Sequence, residues 1–314
     1  MALSLRASLA RISSRLLVCL WPVHWAALIA LRLLLSAIGV HSDRMRSLVL
    51  NSIPGRGIRR YRYSDDSCPL RASVAPFGLI DGLGDEPLLD ADAFPFHPAV
   101  HAALPALQAE ARQILTQECP VYGWPFNAWP PRDVEGAIRG ALVNDRRFRS
   151  VGEVRKWKWW PLFANGAWVD DQRAKVTPVG HALARAIVAA CPLTLNVVYM
   201  VLEPGARIRG HVDLFNGFVN YWAVLLVDKE GSGLSVGNKI LTLRQGQLFG
   251  FDNSFRHSGW NLSASPRVVF ATYTSHPDLT ACERRELQRL QSLVTSLVTT
   301  MRWFFAVTHS RQRR

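Results

Sequence analysis

Residues 195–213 read LNVVYMVLEPGARIRGHVD, and the fold turns on them. Leu195–Leu202 is a short run rich in Val and Leu, closed by the turn signal Pro204-Gly205, so it predicts a strand. After that turn come His211 and Asp213, two positions apart. In an extended segment residues i and i+2 project to one face, so both side chains can reach a single point. The same texture recurs at Tyr221–Val227, Leu234–Val236, Lys239–Leu243, Leu248–Phe251 and Val268–Thr274, with Gly231-Ser232-Gly233 and Gly237-Asn238 as punctuation. Short strands at regular spacing, with no alternation of strand and helix, predict a mainly β domain built as a sandwich or barrel.

His257 follows Asp213 by 44 residues, close behind the strand Leu248–Phe251. Two histidines and a carboxylate on one side of a metal form the facial triad of non-haem iron(II) oxygenases, leaving adjacent positions for a bidentate co-substrate and dioxygen. Arg267 stands ten residues past His257 at the start of the next strand, where a permanently charged guanidinium can take a carboxylate bidentately. Each piece alone has a plainer reading. His-x-Asp is common by chance, a single histidine more often sits hydrogen-bonded in a core, and an arginine at a strand start is usually solvated. Their order within one many-stranded region is what makes the combination specific. Asp252 and Ser254 flank His257 and either orient it or satisfy a turn. His276 precedes Pro277 and reads as a cap rather than a ligand, and the sequon Asn261-Leu262-Ser263 reads as accidental.

The stretch from Leu202 to Leu279 resembles the aspartyl/asparaginyl β-hydroxylase family. The resemblance rests on Leu202-Glu203-Pro204-Gly205, His211, Gly246, the segment Phe251-Asp252-Asn253-Ser254-Phe255-Arg256-His257, Trp260-Asn261, Arg267-Val268-Val269 and His276-Pro277-Asp278-Leu279, with weaker agreement upstream at Trp157-Lys158, Leu162 and Gly166. It implies a double-stranded β-helix (jelly roll) with flanking helices. It also implies iron(II), with 2-oxoglutarate and dioxygen as co-substrates, and hydroxylation of an unactivated C–H bond. On that pattern His211 and His257 bind the metal and Arg267 binds the distal carboxylate of 2-oxoglutarate. Two departures stand out. Asp213 completes a triad where the peptide-modifying animal enzymes have glycine, as in the related lipid A acyl-chain hydroxylases. The family's Arg-x-His, which helps hold the co-substrate, is replaced by Asn220-Tyr221-Trp222. The expected substrate is a peptidyl Asp or Asn, with a membrane-lipid acyl chain as the alternative and a degenerate, non-catalytic binding module as a third reading.

At 314 residues, 49% hydrophobic and 19% charged, the chain suits a large globular domain with a membrane-associated part, not a disordered protein. Its net charge of +13 is scattered and mostly Arg, so no nucleic-acid groove is expected and anionic lipid is the better partner. Five dispersed cysteines without a C-x-x-C pair argue against a disulfide framework and mildly for a reducing compartment. Residues 1–42 lack Asp and Glu, and the apolar run Leu16 to Val40 is long enough for a membrane helix, so this segment is expected to be an anchor. A mitochondrial presequence is the alternative. Arginines from Arg44 to Arg62 outnumber those upstream, which favours a cytoplasmic main domain, with a mitochondrial or ER lumenal site as the alternative. Residues 43–75 read as a linker and 76–290 as the oxygenase domain. Helical patterns fall at Pro98–Gln117 and Pro178–Ala190, around an aromatic stretch from Trp124 to Trp168 that reads equally as core or groove lining. Thr280 and Glu283 open a last helix, and 291–314 read as its amphipathic continuation with a basic tail.

Overall fold

The structure, a computed structural model, describes residues 30, 33–46, 80, 82–84, 86–117, 121–122, 156–164, 166–169, 171–211 and 216–290. Two antiparallel sheets carry the main unit, within residues 57–280. Its strands are β1 (Leu88–Leu89), β2 (Val121–Tyr122), β3 (Trp157–Ala164), β4 (Ala167–Trp168), β5 (Asn196–Leu202), β6 (Ala206–His211), β7 (Phe218–Leu226), β8 (Ser232–Val236), β9 (Lys239–Thr242), β10 (Leu248–Phe251), β11 (His257–Asn261) and β12 (Arg267–Ser275). The large sheet runs β1-β10-β7-β12-β5-β3-β2, with β4 paired to β3, and the small sheet runs β6-β11-β8-β9. From β5 to β12 the chain crosses repeatedly between the sheets, giving β10-β7-β12-β5 facing β6-β11-β8-β9. That is the strand order of a jelly roll, as the family resemblance implies.

Strand parity divides the large sheet into two cores, because successive side chains alternate between its faces. Val197, Tyr199 and Val201 of β5, with Val219, Tyr221 and Ala223 of β7, pack outward with residues of helices α1 (His97–Ile114) and α3 (Pro178–Ala190), among them Leu107, Leu183 and Ile187. Val198, Met200, Trp222, Val224, Val269 and Ala271 face the other way and pack with Leu234, Val236 and Phe249 between the sheets. A sheet covered on both faces favours apolar residues at successive positions, which is why β5, β7 and β12 are predominantly apolar, with Asn196, Asn220 and Arg267 among the exceptions.

α1 and α3 match the expected helices to within three residues, and a short helix α2 (Asp171–Val176) precedes α3. Three strands lack an obvious signature. β6 (ARIRGH) and β11 (HSGWN) carry few apolar residues, because only one face of the small sheet meets the interior. β3 (WKWWPLFA) holds Pro161, which cannot donate to the ladder and sits at a register shift.

The N-terminus of α3 is satisfied from outside the helix. Thr177 makes no side-chain cap, and Glu110 of α1 accepts from Val179 N (2.6 Å) and Gly180 N (2.9 Å). Glu110 also accepts from the Tyr199 hydroxyl, whose pKa is raised well above its ordinary value by burial first and then by the carboxylate. Glu110→Ala would orphan three donors at once, so a loss of about 3 kcal/mol is expected in urea unfolding. A change within a few tenths would show that water replaces the carboxylate there.

A second unit comprises, among the described residues, 30, 33–46 and 281–290. Glu286 accepts from the backbone N–H groups of His41 (2.9 Å) and Ser42 (3.1 Å), and Arg44 pairs with Glu283 at 3.2 Å. Residues 281–290 are helical, where a helix was expected after Thr280; its proposed continuation from 291 lies outside the described residues. Most of the apolar run Leu16–Val40, most of the linker, Trp124, Trp129 and the basic tail also lie outside them. Among the described residues no helix is long and apolar enough to cross a membrane.

Candidate active site

β11 lies between β6 and β8 in the small sheet, and in its register with β6 His257 stands directly opposite His211. Residues directly opposite in an antiparallel pair share a face of the sheet, so the backbone brings together two histidines 46 positions apart in the chain. His211 is described only as a strand position, and Asp213 lies outside the described residues. His257 is buried, and its Nδ1 lies 3.0 Å from the Phe255 carbonyl oxygen, which can only accept. The proton is therefore on Nδ1 and the lone pair on Nε2, the tautomer a metal-binding imidazole needs.

The turn before His257 sets that contact. Asp252 N donates to Pro87 O (3.0 Å) and Phe255 N to Asp252 O (3.2 Å). The Asp252 carboxylate accepts from the backbone N–H of Ser254 at 2.8 Å. These bonds make Asp252 a turn-former that acts on His257 through the Phe255 carbonyl, with Ser254 contributing its main chain. His276 and Asn261 follow their plainer readings. His276 Nδ1 accepts from Asp278 N (3.1 Å), and the fully buried Asn261 amide donates to Leu202 O (2.8 Å) and Ser265 O (2.9 Å).

A cavity opens between the sheets, and His257 lines it. Its walls come from alternate positions of facing strands: Asn196, Val198 and Met200; Asn220 and Trp222; Ala271 and Tyr273; and Ile208, Leu234 and Gly259 from the small sheet. Trp157 and Trp159 add an aromatic side, while Trp160 packs in the outer core and Trp168 is exposed. Strand parity thus separates the groove-lining tryptophans from the others. Asn220 and Trp222, which stand where the family has Arg and His, both face this cavity. Tyr221 between them faces α1, where its hydroxyl lies 2.8 Å from His97 Nδ1. Asn196 and Tyr273 were not singled out from the sequence; their i, i+2 relation to Val198 and Ala271 is the signal that marks them.

Arg267 is the largest fully buried side chain in the described chain, 1% exposed. Among the described residues it makes one long bond, Nη1 to Gly233 O at 3.4 Å, and its Nε has no hydrogen-bond partner; its guanidinium lies 5.4 Å above the Trp222 ring. Burial lowers its pKa to about 10, which still leaves it cationic at neutral pH. A buried cation held only by a carbonyl and an aromatic face is expensive unless something anionic joins it.

Among the described residues no three His, Cys, Asp or Glu side chains converge on one point; the third expected ligand, Asp213, is not among them. The groups present fit an iron(II) site with an anionic co-substrate. His257 lines the cavity with Nδ1 turned to the Phe255 carbonyl, a second histidine stands opposite in register, and a buried guanidinium has no counter-ion among the described residues. Asn220 and Trp222 bring no charge of their own.

Residues 133–277 match the family Aspartyl/Asparaginyl beta-hydroxylase. A Mus musculus protein named aspartyl/asparaginyl beta-hydroxylase is 31% identical over 147 residues, covering 46% of this chain and 19% of that protein. An ornithine lipid ester-linked acyl 2-hydroxylase of Rhizobium tropici is 24% identical over 191 residues, covering 60% of this chain and 59% of that protein. The chain therefore spans less than two thirds of either relative. A solved cupin domain from a transcriptional regulator of Enterobacter cloacae overlaps 38% of this chain and 98% of its own, at 16% identity and a TM-score of 0.27. That likeness is too slight to argue from; the jelly roll rests on the strand order.

Proposed function

We propose that the chain is a membrane-associated hydroxylase that uses iron(II), 2-oxoglutarate and dioxygen to hydroxylate an unactivated C–H bond, first of all the β-carbon of a peptidyl Asp or Asn. The observation that carries this reading is Arg267, a buried guanidinium without a carboxylate partner among the described residues, which lies against Trp222, a side chain that lines the same cavity as His257. His211, Asp213 and His257 would hold the metal. Arg267 would receive the far carboxylate of the co-substrate, with Asn220 and Trp222 on the same wall. When bound, the iron with its co-substrate and dioxygen supplies the oxidising power for the C–H step. The protein orients the imidazole through Phe255, places the cation, and excludes water with the apolar walls of both sheets.

A second reading, an acyl chain of a membrane lipid, is favoured by the cavity itself. Val198, Met200, Ile208, Leu234, Phe251 and Ala271 line it together with Trp157 and Trp159, and among the described residues no carboxylate or ammonium does. Membrane association belongs to both readings and rests on the apolar run Leu16–Val40 with its arginine flanks, whose excess downstream favours a cytoplasmic main domain over a mitochondrial or ER lumenal one.

Full-length protein loaded anaerobically with iron(II) is expected to convert 2-oxoglutarate to succinate once dioxygen is admitted. Mass spectrometry of proteins and lipids from cells with and without the gene should then show one added oxygen in a single class of molecule. Absence of both succinate and 2-oxoglutarate binding would leave a degenerate binding domain. Deleting residues 1–42 should shift the protein toward the soluble fraction, and full-length protein that is already soluble would remove the anchor from the proposal.

A further inference from the structure

Two donors, one on a side chain that lines the cavity and one on the side chain packed against it, are left over by the fold. Neither the Trp222 Nε1–H nor the Arg267 Nε–H, both buried, finds a hydrogen-bond partner among the described residues. Buried N–H groups are nearly always paired, so two adjacent exceptions point to a missing acceptor. They belong to side chains in contact, the guanidinium 5.4 Å above the indole ring. The indole is fixed from its other sides by Phe251 (ring centroids 5.1 Å, edge to face) and Phe249 (6.0 Å). Trp222 also stands opposite Ala271 in the ladder, and that small neighbour leaves room beside the ring. Its side chain lines the same cavity as His257.

We propose that Trp222 is a ligand-binding residue, whose indole N–H and the Arg267 guanidinium together receive one carboxylate of a dicarboxylate whose other end lies toward His257. The inference rests on the co-substrate reading above and adds to it the role of a residue that departs from the family's Arg-x-His. A neutral donor then replaces a charged one. The positive charge at the carboxylate comes from Arg267 alone, and Trp222 supplies direction and a platform that holds the guanidinium plane.

The test needs no turnover. Zinc, which does not activate dioxygen by redox chemistry, is loaded into full-length protein carrying ¹⁵N-labelled tryptophan, and 2-oxoglutarate is titrated in. Of the eleven tryptophans, the indole N–H signal missing from Trp222→Phe belongs to Trp222. It is expected to move downfield as the dicarboxylate binds. By calorimetry Trp222→Phe, which keeps an aromatic platform and loses only the donor, should bind about ten- to a hundredfold more weakly, with unchanged zinc affinity. If the phenylalanine variant does not fold, Trp222→Tyr assigns the signal instead, and the downfield shift in the unmodified protein decides. An unmoved signal with equal affinity in the variant would overturn the role of Trp222 and leave the co-substrate reading standing. No 2-oxoglutarate binding by the unmodified protein would overturn both.

Discussion

Replacing His257 with alanine is expected to take iron(II) binding from one ion per chain to none detectable, and turnover with it. His257 sits on β11, between two neighbouring strands of the small sheet, and its ring is aimed by the Phe255 carbonyl at 3.0 Å. Loss of a residue that merely orients a metal ligand costs about 10–100-fold in metal affinity, and removing the imidazole itself exceeds that. The jelly roll should survive, since the side chain lost is small and faces a cavity rather than a packed core. Anaerobic iron titration, with thermal unfolding as the control for folding, measures both halves of the claim. Zinc should bind the unmodified protein at the same place and leave it inactive. Undiminished iron binding and turnover in the alanine variant would remove His257 from the site.

The sheet that carries the cores is plain in the sequence, and the two strands that carry the histidines are not. β5, β7 and β12 are buried on both faces, so hydrophobicity alone reveals them. β6 and β11 each run to only five or six residues, are rich in Gly, Arg and Ser, and have one face toward water. The motif His-x-Asp and the segment ending in His257 mark their ends even so, because ligand chemistry selects residues that packing does not. The register of His257 with His211 is then a fact of topology, unavailable to any local pattern.

Arg267 is the reverse case. Its place in the order of motifs singles it out, yet an arginine opening a strand reads as a solvated residue in every local sense. Only the pairing of β12 between β5 and β7 turns that first position toward the space between the sheets. Trp222 shows the same limit. The departure from Arg-x-His is visible in the sequence, while its orphaned N–H and its contact with Arg267 appear only once β7 and β12 lie side by side.

Arg267→Met is expected to stabilise the ligand-free protein and to end its response to 2-oxoglutarate. The guanidinium lies between the sheets with one long bond to the Gly233 carbonyl and no carboxylate, so its desolvation is poorly compensated. Replacing buried ionic groups by well-packed apolar ones of similar volume commonly gains on the order of 1–4 kcal/mol. Methionine, flexible and similar in length, fills the space beside Trp222. The pH dependence follows from the pKa, which burial lowers to about 10. Below pH 10 both folded and unfolded chains carry the charge, and the full penalty weighs on the unmodified protein. As pH rises through 10 the folded arginine sheds its proton before the unfolded one does, and the advantage of the methionine variant shrinks. Binding should move the opposite way. Losing one partner of a buried, charge-assisted pair costs about 2–5 kcal/mol, so 2-oxoglutarate should raise the melting temperature of the unmodified, metal-loaded protein and leave the variant's unchanged. A variant less stable than the original, and still stabilised by 2-oxoglutarate, would mean that Arg267 is a structural residue whose counter-charge comes from elsewhere in the chain.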